Sequence, residues 1–153
     1  IPRHISRCTQ IKKDLEKLNL VVHTIGSDSN LTKNTDIFLI NSYGKTKIFF
    51  NNSEHVFLGG SLMKHGGQNP LEPARLGCNI LHGPYVNNFK EIYKFLEKNK
   101  ISQKIQNQNH LTKSLEKLFN KRTVTKKTQK KLKLIGKNIL EKSYNHLKLN
   151  YDF

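Results

Sequence analysis

Apolar positions along this chain fall into short clusters that alternate between two spacings. Cys8, Ile11, Leu15 and Leu18 recur at helical spacing, which predicts a helix after the Pro2-Arg3-His4 turn. The run from Leu20 to Ile25 reads as a strand stopped by Gly26, and the polar stretch from Gly26 to Thr35 as a loop. Ile37 to Ile40 is a second apolar run and predicts a buried strand. Asn41-Ser42-Tyr43-Gly44 is a turn, with a short helix through Ile48 and Phe49 after it. His55 to Leu58 predicts the next strand, ended by Gly59-Gly60. A helix opened by Asn69-Pro70-Leu71-Glu72 should end at Gly77, and Asn79 to Leu81 is a further strand closed by Gly83-Pro84. Phe89, Ile92, Tyr93 and Leu96 share one face of a helix from Asn88 to Leu96, with Asn88 as N-cap and Glu91 three residues on. Ile101 to Ile105 reads as a weak edge strand. Leu111, Leu115, Leu118 and Phe119 mark another helix, and Leu132, Ile135, Ile139 and Leu147 a long last one.

Short strands separated by helices predict an α/β fold with a parallel sheet covered on both faces. Ligands of such sheets bind beyond the carboxyl ends of the strands. The turns after His4, Ile40, Leu58 and Leu81 are therefore the places to look for chemistry.

The length, 153 residues, predicts one domain, 1–153, with 121–153 a basic helical segment at its end. The opening Ile1-Pro2-Arg3-His4 reads as a piece of a longer protein. No apolar run is long enough to span a bilayer, and no signal-peptide pattern is visible. The formal net charge of +16 invites anionic partners. The same excess, mostly Lys beside abundant Asn and Ile, is equally what an A/T-rich coding sequence produces. Lys126, Lys127, Lys130, Lys131, Lys133 and Lys137 form a cluster without aromatic residues. It reads as a solvated basic face, with attraction to an anionic membrane surface open and no nucleic-acid partner expected. Cys8 and Cys78 lack metal-ligand spacing and read as reduced thiols. The seven histidines show no zinc spacing, so no metal site is expected. No catalytic constellation can be argued within the chain.

The sharpest local signal is Asn69-Pro70-Leu71-Glu72. Asn suits the N-cap, Pro the first helical position, and Glu72 can complete a capping box. That account is complete without a ligand. The same geometry suits a phosphate at the helix N-terminus, and a first-turn Glu can accept hydrogen bonds from both hydroxyls of a ribose. Context favours the second reading. Gly59-Gly60-Ser61 follows a strand, and His65-Gly66-Gly67-Gln68 runs into the cap, so Ser61, His65 and Gln68 should supply donors at the rim. Arg3 could pair with a phosphate at a strand end, or be a surface Arg. Tyr43-Gly44-Lys45 could bracket a nucleotide, or be a plain turn with an exposed Lys.

Together these residues resemble the 3-deoxy-D-manno-octulosonic acid (Kdo) transferases of lipopolysaccharide synthesis. The resemblance rests on Phe57-Leu-Gly-Gly-Ser-Leu-Met-Lys-His-Gly-Gly-Gln-Asn-Pro-Leu-Glu-Pro-Ala-Arg-Leu-Gly77 and on Leu81-His-Gly-Pro-Tyr-Val-Asn-Asn-Phe-Lys-Glu-Ile92. Pro2-Arg3-His4 followed by Arg7 resembles the motif that opens the family's C-terminal domain. The match runs to about Leu96 and covers the basic tail only in helical pattern.

The resemblance implies a Rossmann-like domain, the C-terminal half of a GT-B glycosyltransferase, with CMP-Kdo as donor, a lipid A precursor as acceptor and no cofactor. The family's CMP-contacting segments map onto Pro2 and Arg3, onto Tyr43, Gly44 and Lys45, and onto Asn69, Pro70, Leu71 and Glu72. Ser61, His65 and Gln68 would line the sugar side. The catalytic carboxylate belongs to the family's N-terminal domain and has no counterpart here, so the fragment alone should bind CMP weakly and transfer nothing. The implied location is the cytoplasmic face of the bacterial inner membrane. One departure stands out: many members carry Asp-Thr-Met-Gly-Glu where this chain has Asn41-Ser42-Tyr43-Gly44-Lys45, so an acid has become Lys45. Two rivals stay in view: a GT-B donor domain for another nucleotide sugar, and a basic nucleic-acid-binding module without enzymatic activity.

Overall fold

A computed structural model describes residues 1–25, 34–120, 130, 132–135, 137, 138, 141, 144, 145 and 148. Lys126, Lys127, Lys131, Ile139 and Leu147, and the loop expected from Gly26 onward up to residue 33, lie outside the described residues. Where one domain is expected, the chain divides into two compact units, Ile1–Phe49 and Phe50–Phe153, described separately below.

In the first unit a 3-10 turn at Ile5–Arg7 leads into α1, Cys8–Glu16. Strands β1 (Val22–Ile25) and β2 (Ile37–Ile40) pair in parallel from Val22 opposite Ile37 to Ile25 opposite Ile40. The apolar stripe of α1 packs Cys8, Ile11 and Leu15 against Val22, Ile37 and Leu39. Leu18, expected on that stripe, lies past the helix end and is exposed. The reason is Asn19, whose φ of 58° stops the helix in the left-handed region that Asn tolerates. The Asp36 carboxylate accepts the Val21 N–H at 2.8 Å and so pins the start of the ladder. After β2 the chain turns through Tyr43 and Gly44 into α2, Thr46–Asn51.

In the second unit β3 (His55–Leu58), β4 (Asn79–His82) and β5 (Ser102–Lys104) form a parallel sheet in that order. Helices α3 (Leu71–Arg75) and α4 (Lys90–Lys98) make the crossovers, and α5 (Gln108–Phe119) follows β5. One core gathers Leu58, Ala74, Ile80, Val86, Tyr93, Leu96 and Ile101. Its α4 contribution, Tyr93 and Leu96, is fully buried, and each such side chain contributes about 1.5–3 kcal/mol relative to exposure. The described strands thus form two parallel ladders, one per unit, where the pattern predicts one sheet.

The helix ends show which local signals acted. Asn107 caps α5, its side-chain oxygen accepting the His110 N–H at 2.9 Å. Gly77 ends α3 as expected. Its N–H bonds the Ala74 carbonyl and the Cys78 N–H bonds the Pro73 carbonyl, both at 3.0 Å, with Gly77 at φ 91°. That is the paired 5→2 and 6→1 closure favoured by a left-handed glycine. The cap expected at Asn88 does not form. A 3-10 turn at Asn87–Phe89 precedes α4 without a side-chain cap, and Glu91 pairs instead with Lys94 at 3.0 Å. Phe119, expected on the packed face of α5, is exposed and meets the His55 ring edge-on at 6.0 Å.

Candidate functional site

The glycine-rich loop begins where β3 ends and closes on itself. The Gly67 N–H donates to the Gly60 carbonyl at 3.0 Å. Inside that ring Gln68 and His65 approach Gly60, the Gln68 Nε2 and His65 Cβ each lying 3.6 Å from where a Cβ on Gly60 would stand. His65 and Asn69 are exposed and Gln68 is half-buried, so these three do present polar groups at the carboxyl end of β3.

Ser61 is placed otherwise. It is fully buried, and its hydroxyl donates to the Leu58 carbonyl at 2.5 Å while accepting the Gly83 N–H at 2.8 Å. Both capacities of the hydroxyl are used internally, which leaves it no free donor for a sugar. Its carbonyl also accepts the Tyr85 N–H at 2.9 Å. Ser61 therefore ties the loop after β3 to the loop after β4.

The glycines serve the same clamp. A Cβ on Gly66 would lie 2.4 Å from the Asn88 Nδ2, and one on Gly83 would lie 2.1 Å from the Ser61 carbonyl oxygen. The Asn88 N–H in turn donates to the Gly66 carbonyl at 3.2 Å. This close approach explains why Asn88 is not a helix cap: its amide is packed against Gly66. Paired glycines here bring loop to loop. Gly59, by contrast, has nothing within 4 Å of a would-be Cβ.

The expected capping box does not form. Asn69 Oδ1 accepts the Leu71 N–H at 3.0 Å, a capping contact at the entry to α3, and not the Glu72 N–H that the box requires. The reciprocal bond from Glu72 is absent. Glu72 is exposed, and among the described residues no hydrogen bond or ion pair engages its carboxylate. At five residues α3 is little more than one turn, so few peptide dipoles add at its start. The anion-holding helix N-terminus expected at Asn69 is correspondingly weak, while the Glu72 carboxylate is exposed and has no partner among the described residues.

Behind the loop lies a buried aromatic pair that no site reading of the sequence includes. The Tyr93 hydroxyl donates to the Gln68 main-chain carbonyl at 2.8 Å, and its ring lies 4.3 Å from that of His82. His82 Nδ1 sits 2.8 Å from the Gly83 carbonyl, and Nε2 sits 3.2 Å from Glu97 Oε1 but out of hydrogen-bond alignment. Burial is the main cause that holds the His82 imidazolium below its ordinary pKa. The Gly83 carbonyl and the Glu97 carboxylate oppose this, and Lys104 reinforces it. The available signal was chemical: a Tyr on the most apolar face of α4 carries a hydroxyl that must find a partner once buried.

In the first unit Pro2 is half-buried and Arg3 exposed, just ahead of the 3-10 turn at Ile5–Arg7. Tyr43, Gly44 and Lys45 are exposed beyond the carboxyl end of β2. Nothing lies within 4 Å of a would-be Cβ on Gly44. A groove of about 400 Å³ opens beside β5 between Glu97, Lys100, Gln103, Lys104 and Leu118, and shares no residue with the loop 59–72. Among the described residues no three His, Cys, Asp or Glu side chains gather as metal ligands, and no helix is long and apolar enough to cross a membrane.

Parallel strands with helical crossovers define an α/β, Rossmann-like fold, and a solved structure agrees. The fold matches the C-terminal CMP-Kdo binding domain of WaaA from Acinetobacter baumannii with a TM-score of 0.78 at 24% identity, over 86% of this chain and 68% of that one. In sequence the chain resembles 3-deoxy-D-manno-octulosonic acid transferases. It is 33% identical to that of Haemophilus influenzae over 96 residues, 63% of this chain and 22% of the relative. It is 25% identical to that of Aquifex aeolicus over 138 residues, 89% of this chain and 37% of the relative. A bifunctional glycosyltransferase/methyltransferase of Fusobacterium nucleatum is 28% identical over 150 residues, 93% of this chain and 23% of the relative. The chain thus spans between 22% and 37% of the length of these relatives. No family model matches it.

Proposed function

We propose that this chain is the donor-binding part of a Kdo transferase of GT-B architecture, and that it binds the CMP moiety of CMP-Kdo. The observation that carries this is Glu72, an exposed carboxylate with no partner among the described residues, beside the Asn69-capped turn at the carboxyl end of β3. A carboxylate there can accept both ribose hydroxyls, and the likeness to a CMP-Kdo binding domain supports CMP as the nucleotide. His65 and Gln68, exposed and half-buried on the same loop, would meet the sugar. Arg3 would pair with phosphate, and Tyr43, Gly44 and Lys45 would contact the nucleotide, Lys45 replacing an acid common in the family. Transfer to a lipid A precursor, at the cytoplasmic face of a bacterial inner membrane, would need a base supplied from outside this chain. The excess of 27 Lys and Arg over 11 Asp and Glu is compatible with an anionic membrane nearby.

Calorimetry of the chain with CMP and with UDP tests the reading. CMP should bind with micromolar to millimolar affinity, and better than UDP. UDP bound more tightly than CMP would count for a GT-B domain serving another nucleotide sugar.

A further inference from the structure

Gln68 is the residue at which the glycine-rich loop meets the cap of α3. Its side chain lies by Gly60, and its main chain runs directly into Asn69, whose side chain holds the Leu71 N–H. A loop at a sheet rim is ordinarily free to shift, because its backbone groups bond to water. Here the Gln68 carbonyl is instead held from within the core by the hydroxyl of Tyr93, 25 residues away on α4. Tyr93 cannot follow a moving loop. It is fully buried, packed among Leu58, Ile80 and Leu96, and set against the His82 ring.

We infer that Tyr93 is a positioning residue for the nucleotide: it fixes the Gln68 carbonyl, and through it the Asn69 cap and the Glu72 carboxylate, in the geometry that receives the ribose. The inference rests on the assignment of Glu72 to CMP made above. Packing alone would be served by Phe, which has the same ring, so the specific need is for the hydroxyl. Without it the Gln68 carbonyl loses its internal partner and the 68–72 turn samples several positions, of which only one presents Glu72 correctly. Binding then carries the cost of selecting that position.

The test is Tyr93→Phe in this chain, with Glu91→Gln as a control on the exposed side of the same helix. Two quantities are read: CMP affinity by calorimetry, and amide hydrogen exchange at Leu71 and Leu96 by NMR. Tyr93→Phe should weaken CMP binding about tenfold. Exchange should quicken at Leu71, while Leu96 in the α4 core stays protected and Glu91→Gln matches wild type. The local effect separates positioning from general loss of structure, which would move both amides together. Wild-type affinity and an unchanged Leu71 amide in folded Tyr93→Phe would overturn the inference and leave the reading of the site intact. Absence of CMP binding by the wild-type chain would overturn that reading, and the inference with it. If Tyr93→Phe does not fold, the wild-type chain supplies the answer: CMP should shift the ring resonances of Tyr93 although the ring is buried, and unmoved resonances would overturn the coupling.

Discussion

The Ser61 hydroxyl accepts the Gly83 N–H at 2.8 Å, joining loops that leave the adjacent strands β3 and β4. Ser61→Ala should keep the volume nearly filled and leave the Gly83 N–H buried without an acceptor. The expected loss is about 1–3 kcal/mol of folding stability. Urea unfolding measures it, and CMP affinity should change less than in Glu72→Ala.

Glu72→Ala should behave in the opposite way. The side chain is exposed and bonded to nothing described, so the thermal midpoint should move little, within the range of about ±0.5 kcal/mol usual for such sites. CMP affinity should fall about tenfold, the loss expected for hydrogen bonds to a charged acceptor. Unchanged affinity by calorimetry would remove Glu72 from the site.

Gly66→Ala and Gly83→Ala distinguish two kinds of steric demand. The Gly83 Cβ would collide with the Ser61 backbone, which cannot retreat, so the variant should fail to accumulate as folded protein. The Gly66 Cβ would collide with the Asn88 side chain, which can. Gly66→Ala should therefore be partly rescued by Asn88→Ala, with the residual cost set by the φ of 81° at Gly66, about 1 kcal/mol. Midpoints of the two single variants and the double variant complete the cycle.

Most of the architecture was legible in the sequence. Ile37–Ile40 and His55–Leu58 are strands at the expected residues because parallel strands write themselves as apolar runs between turn residues, although Phe38, expected to be buried with its run, is exposed. Gly77 ends its helix for a local reason and was equally readable. What was not legible depends on contacts between distant loops. Ser61 and Gly66 look like ligand-facing residues in a one-dimensional pattern, yet their partners Gly83 and Asn88 lie 22 residues away in each case. Asn88 has the composition of a cap, and a tertiary contact overrides it. The apolar stripe of α4 places Tyr93 in the core, where it lies; the direction of its hydroxyl is information only the fold holds.

Two buried groups predict the pH profile of stability. Burial raises the Cys78 thiol from 9.0 to about 11, where its S–H donates to the Phe50 and Ser53 carbonyls. In alkali the unfolded chain releases this proton first, so it holds fewer protons than the native state and stability falls from about pH 9 toward 11. On the acid side the unfolded chain protonates His82 near its ordinary 6.5 while the native state resists. Stability therefore falls below that pH and levels off once the lower native pKa is passed. His82→Asn, which can still donate to the Gly83 carbonyl, should flatten the acid limb. Chemical denaturation across the pH range reads both.

The clamp between the two loops also sets the smallest piece of this protein that can be exchanged with a relative. Grafting residues 59–72 alone would bring in a loop whose glycines and serine are shaped for a different 83–88 segment. Libraries meant to alter nucleotide preference should therefore recombine both segments together, while His65, exposed and outside the clamp, can be varied alone.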